Sequence, residues 1–237
     1  MTNYRFMIGS ITILSGLIAL SCLIVGAMAV EFNFDAFADP MKALNYADNA
    51  SMARAFMILD MIGYYLLLLP VAFFLNQQYK FRSPWTPLYT FTGVAYVLVG
   101  SIGAAILAAV WPELMNEHVR ADSITKELIA LQFQVSTIAV TKGLWNILEV
   151  LFASVWWIGM GSLLYQDNKA VGILSIVTGV SALTDGMANI VGLQGAAELS
   201  LNVYLVLGIV WPVAIGIFIL KKQHHETKHD QRKTFSP

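Results

Sequence analysis

Long apolar runs, separated by short polar stretches, organise this chain. They lie at about 7–30, 53–75, 87–111, 142–165, 170–192 and 199–220. Each is long enough to cross a hydrocarbon core of ~30 Å, which takes about 20 helical residues. Backbone groups in lipid have to be satisfied within their own segment, and the strict alternation of a membrane barrel is absent, so the runs predict helices. The expected fold is therefore all-α, an integral membrane bundle of six transmembrane helices. Residues 1–220 form one domain, and 221–237 a disordered, basic and histidine-containing tail. Ala27, Met28 and Ala29 have the small-residue spacing of a signal-peptidase site, but the apolar run before them is longer than a signal core, so the first span is expected to be retained.

A seventh periodic segment lies between the third and fourth runs. From 123 to 140, the apolar residues Ile124, Leu128, Leu131, Val135 and Ile138 recur at spacings of four, three, four and three, with Lys126, Glu127, Gln132, Gln134 and Thr137 between them. This predicts an amphipathic helix that lies on the outer surface or extends the fourth span outward, its stripe against lipid or the bundle. An unbroken helix would carry the same face on to Lys142, Trp145 and Glu149. Gly100, Ala104 and Ala108 in the third run are small residues at helical spacing, a signal of close helix packing.

Composition agrees with the pattern, since 57% of the 237 residues are hydrophobic and 12% are charged. So little polar surface cannot coat a globule in water, so the bilayer is the expected surrounding. A net charge of −1, with the basic residues gathered mostly in the tail, gives no footprint for nucleic acid. Charge placement also predicts orientation. Arg5, Lys80, Arg82, Lys169, Lys221, Lys222, Lys228, Arg232 and Lys233 lie on one side with three acids, whereas the other side has four basic residues and nine acidic ones. The excess of Lys and Arg marks the first side, with both termini, as cytoplasmic, and a plasma membrane location is expected. Trp85, Trp111 and Tyr165 fall near span ends, where interfacial aromatic anchors belong.

Three carboxylates interrupt the apolar runs: Asp60 in the second, Glu149 in the fourth and Asp185 in the fifth. A charged group at the bilayer centre costs ~2.5–3.5 kcal/mol even on insertion scales, so three of them ask for a reason. Counted from the cytoplasmic ends of their runs they are 15, 16 and 15 residues in, a common height of roughly 23 Å at 1.5 Å per residue. Lys142, Asn146 and Glu149 share one helix face, Thr178, Ser181, Asp185 and Asn189 another, and Tyr64 lies one turn below Asp60. The expected site is an outward-facing polar cavity between the second, fourth and fifth spans, with Asp60, Glu149, Asp185, Lys142, Asn146, Asn189 and Tyr64 as its candidates. One or two bases cannot pair three acids, which leaves at least one to a proton or a bound cation. The plainer account is that these groups join helices pairwise, Lys142 with Glu149 for instance.

Several chemistries lack their residues. No histidine lies within the runs for haem or an intramembrane zinc hydrolase, Cys22 is the only cysteine, and neither a nucleophile elbow, a Walker A loop nor a dinucleotide fingerprint occurs. No cofactor, no metal site and no enzyme activity are expected.

Arg54 to Asp60 (RAFMILD), Gly172 to Gly179 (GILSIVTG) and Tyr204 to Trp211 (YLVLGIVW) resemble a bacterial family of polytopic membrane proteins catalogued only as a domain of unknown function. The likeness, one of layout, covers about two thirds of the chain. It implies a bacterial plasma-membrane protein and carries over no functional residue. Two functions stay open. One is binding or transport of a cation, proton or small cationic solute by the acids. The other is a non-transporting assembly or regulatory role in which the polar residues are structural.

Overall fold

Each apolar run is a helix in the computed structural model, which describes the backbone of residues 2–234 and the side chains of 4–37 and 39–222. The six spans are Tyr4–Ala29, Pro40–Tyr79, Thr86–Arg120, Ser123–Asp167, Lys169–Val191 and Gln194–Lys222. Among the described residues there is no strand. The chain is a multi-pass, all-α membrane protein. The helix that contains span six runs on to Thr234, and the tail histidines at 224, 225 and 229 lie outside the described side chains.

Packing follows chain order around a ring. Span one lies against two, two against three, three against four, four against five, five against six, and six returns to one. Glycines set the close approaches. A Cβ on Gly216 would come within 2.7 Å of the Gly9 carbonyl oxygen, and one on Gly63 within 2.5 Å of the Ala19 amide. Small residues are what let helices touch in lipid, where no hydrophobic force drives them together. The interior is filled by aromatic rings. Tyr65, Tyr96, Trp156, Trp157, Tyr204 and Trp211, from spans two, three, four and six, are all buried. Neighbouring ring centroids are 5.2–5.8 Å apart, the spacing of tilted and edge-on aromatic pairs.

The two ends of the ring differ. On the face that carries the chain ends, called here the terminal face, Asp167 accepts from Arg82 at 2.6 Å, Lys222 at 3.0 Å and the Tyr79 hydroxyl at 3.1 Å. This ties together spans two, four and six and the loop between two and three. On the distal face, spans two, three and four outgrow the others and build a cap. Leu44, Ala47, Ala50, Ala53, Met115, Ala130 and Phe133 form its own small core. Trp111 belongs to this core. Its ring stacks on Phe133 at 5.7 Å and its indole donates to Thr137 Oγ1 at 2.8 Å, so it packs the base of the cap. Trp85 and Tyr165 are exposed.

The amphipathic helix, Ser123–Ile138, extends span four outward. It starts at Asp122, whose side chain accepts from the Thr125 amide at 2.9 Å, a bond that holds this carboxyl below the usual carboxylate range. Its face does not continue into the span as an unbroken count would have it. Residues Ala139–Glu149 are π-helical, and each turn that holds an extra residue shifts the register by about 100°. The stripe from Ile124 to Ile138 consequently points outward and exposed, while Val140 and Glu149 are buried and Trp145 is half-buried.

Candidate functional site

Two of the three carboxylates sit where their helices change pattern, with a true break in span two only. Directly after Asp60 the backbone is π-helical over Met61–Tyr65 and then 3-10 over Leu66–Leu68, with Tyr65 at φ −125° and ψ −76°. Glu149 ends the π-helical stretch of span four. A broken helix frees carbonyls, and in lipid these have to find other partners. Side chains from the neighbouring spans supply them. Ser15 of span one donates to the Gly63 carbonyl at 2.5 Å, and Tyr96 of span three to the Tyr64 carbonyl at 2.7 Å. Within the π stretch of span four, the Trp145 indole donates across to the Gly100 carbonyl of the regular span three at 3.2 Å, which joins the two spans. Single π turns of this kind recur at functional sites because they re-aim side chains without ending the helix.

Glu149 is the centre of the site. It is 2% exposed, and Oε1 accepts from the Tyr204 hydroxyl at 2.8 Å. Asp60 and Asp185 are both close enough to act on it electrostatically. Asp185, fully buried, accepts from Asn189 at 2.8 Å through Oδ1. The remaining oxygens are less well served, for Asp60 Oδ2 and Asp185 Oδ2 are buried without a hydrogen-bond partner. Buried polar atoms are almost always paired, so two unpaired carboxylate oxygens in one region stand out. Below Glu149, two turns nearer the terminal face, Trp156 and Trp157 have buried indole N–H groups that are also unpartnered.

The three acids are neighbours without being gathered on one point. Among the described residues no group of three or more His, Cys, Asp or Glu side chains is arranged to hold a metal ion.

The other candidates divide. Tyr64 is buried and donates to the Leu205 carbonyl at 3.3 Å, which joins spans two and six. Asn146 is half-buried one turn before Glu149. Lys142 is exposed and acts on Asp185; the pairing of Lys142 with Glu149 is not formed. The hydroxyls of Thr178 and Ser181 are spent on carbonyls of their own helix, at 2.8 and 3.0 Å. The one donor of each is therefore used within the helix.

Sequence reasoning missed the aromatic wall. Tyr204 from span six donates to Glu149, and Tyr65 and Tyr96 from spans two and three lie close enough to feel its charge, so the site draws on five of the six spans and not on three. A tyrosine inside an apolar run was the available signal, since its hydroxyl needs a partner there.

No family model matches the chain, nor does any curated protein or solved structure.

Proposed function

We propose that this protein binds a cation, a proton or a small cationic solute at the carboxylates of Asp60, Glu149 and Asp185, and carries or senses it across the plasma membrane. The observation that carries the reading is the pair of unpartnered carboxylate oxygens, on Asp60 and Asp185, beside the buried Glu149. A set of acids with spare acceptors and no buried base is built to take up positive charge. The helix break just after Asp60 supports the same reading, because interrupted helices line the ion and substrate sites of many transporters. The charge asymmetry of the loops orients the cap outward and both termini toward the cytoplasm. With the aromatic cluster packed below the acids, access is from the cap side. The family resemblance fits a bacterial plasma-membrane protein.

A second reading, an assembly or regulatory protein whose polar residues are structural, draws support from the bonds that Glu149 and Asp185 do make, to Tyr204 and Asn189.

The indoles near Glu149 give the test an intrinsic reporter. Tryptophan emission of the reconstituted protein is followed during titration with tetramethylammonium, sodium and potassium chlorides and during a pH series. A saturable response to at least one of these, lost in Glu149→Gln and Asp60→Asn but kept in Asp167→Asn, is the expected result. A folded protein that gives no saturable response to any of them, or the same response in all variants, overturns the reading in favour of the structural one.

A further inference from the structure

The most conspicuous unpartnered surface lies on the cap. Ile124, Leu128, Leu131, Val135 and Ile138 are 77, 60, 56, 59 and 42% exposed, while Ile129, Ala130, Phe133 and Thr137 on the opposite side of the same helix are buried. Large apolar side chains that face lipid need no further account, so the height of this helix decides the matter. The bond from Trp111 to Thr137 and the stacking of Trp111 on Phe133 bring residues 133–137 level with Trp111 on span three. From there span three runs outward through the exposed Glu113, Asn116 and Glu117. Glu113 pairs with Arg54 at 3.0 Å, with side chains 69 and 48% exposed. Ionised, solvated groups mark water and headgroups, not hydrocarbon. Ile124, Leu128 and Leu131 run outward from that level and lie beyond the acyl chains, with Val135 at it and Ile138 just below, and exposed apolar side chains in that outer zone call for a cover.

Its spacing says what kind of cover. Intervals of four, three, four and three residues average to the 3.5-residue repeat of a coiled-coil seam, with Leu128 and Val135 at one core position and Ile124, Leu131 and Ile138 at the other. Two copies inserted the same way in one membrane bring these helices together side by side and parallel. In that arrangement the flanking Glu127 of each copy faces Gln132 of the other, and Gln134 faces Ala139, so no like charges meet. Two heptads bury less than the roughly 800 Å² per partner of a typical soluble complex. Such a seam suffices only for partners already confined to one membrane plane, where effective concentration is high. A second copy of this chain meets all of these conditions.

We propose that the protein self-associates through the exposed seam of Ser123–Ile138, which forms a parallel two-helix coiled coil above the membrane. Cys22, the chain's only cysteine, is 1% exposed, so cysteines introduced one at a time report cleanly. Leu128→Cys and Leu131→Cys, oxidised in native membranes, should give a disulfide-linked product of twice the chain mass. Glu117→Cys, exposed at the same height but off the seam, should not. Adding Leu131→Glu to Leu128→Cys should cut the linked fraction by roughly tenfold. The unfolding midpoint of the chain should stay unchanged, because Leu131 is exposed in the single copy. Three results overturn the proposal: no linked product from either seam position, equal linking from Glu117→Cys, or a product whose mass shows a different protein on the seam.

Discussion

Asp167 and Glu149 are both carboxylates held between spans of one bundle, and their surroundings could hardly differ more. Asp167, at the terminal face, accepts from two cations and a phenol. Glu149, deep in the ring, has one neutral partner and two further acids close by. The first arrangement is what a bundle needs in order to hold together, since charge is matched, donors are in place and four chain segments meet. In the second, charge is left unmatched and oxygens on both neighbouring acids have no partner. A structural acid is satisfied by its own protein, and an acid left wanting something from outside is what the proposed function requires.

The comparison breaks most easily at Asp167. Asp167→Ala removes the shared acceptor of Arg82 and Lys222, whose side chains are 40 and 35% exposed. Water partly compensates them, so the loss is about 1–3 kcal/mol rather than that of a fully buried pair. A reversible unfolding titration in mixed micelles should show it. Asp60→Asn, by contrast, should leave stability unchanged or raise it, because the oxygen it alters has no hydrogen bond to lose. If the order is reversed, with Asp60→Asn the more damaging, the interior acids are structural and the contrast is gone.

Much of this contrast was legible in the chain. The apolar runs disclosed the six spans, because the bilayer imposes length and composition on any helix that crosses it. The cost of intramembrane charge singled out Asp60, Glu149 and Asp185. Other features were hidden. Hydrophobic periodicity assumes a regular helix, and no residue between Ala139 and Glu149 announces a π stretch. The stripe at 124–138 was visible but its direction was not. Closure of the ring, which brings Tyr204 to Glu149, is a long-range contact between residues 55 apart that no local pattern encodes. The hydroxyls of Thr178 and Ser181 misled for a simpler reason: they share a face with Asp185 yet bond to their own backbone.

Tyr204→Phe sharpens the comparison from the other side. It deletes the one hydrogen bond that Glu149 receives, within a core that offers no water to replace it, and should cost about 1–2 kcal/mol in the same unfolding titration. Glu149→Gln keeps an acceptor for the Tyr204 hydroxyl and should cost less. Restoring the loss in the double variant Tyr204→Phe with Glu149→Leu would show that the penalty belongs to the orphaned carboxylate and not to the missing hydroxyl. A Tyr204→Phe variant as stable as the parent would mean that Glu149 already has what it needs elsewhere.

The smallest expected effect is also the most discriminating, because it asks whether the three acids form a set. Asp60 and Asp185 each act on Glu149. Glu149 should therefore couple to both. Double-mutant cycles built from the amide variants measure this directly, since sites that share no interaction add within about 0.3–0.5 kcal/mol and interacting ones depart by more. Cycles of Glu149→Gln with Asp60→Asn and with Asp185→Asn should show a departure of about 0.5–1 kcal/mol. Any cycle that pairs one of the three with Asp167→Asn at the far end of the bundle should close near zero. The same variants followed by carboxylate infrared titration in lipid should agree, because carboxyl groups that sense one another titrate as a set and not one by one. Additivity in every cycle would make the three acids separate fixtures of the bundle, and the proposed cation site would lose the geometry on which it rests.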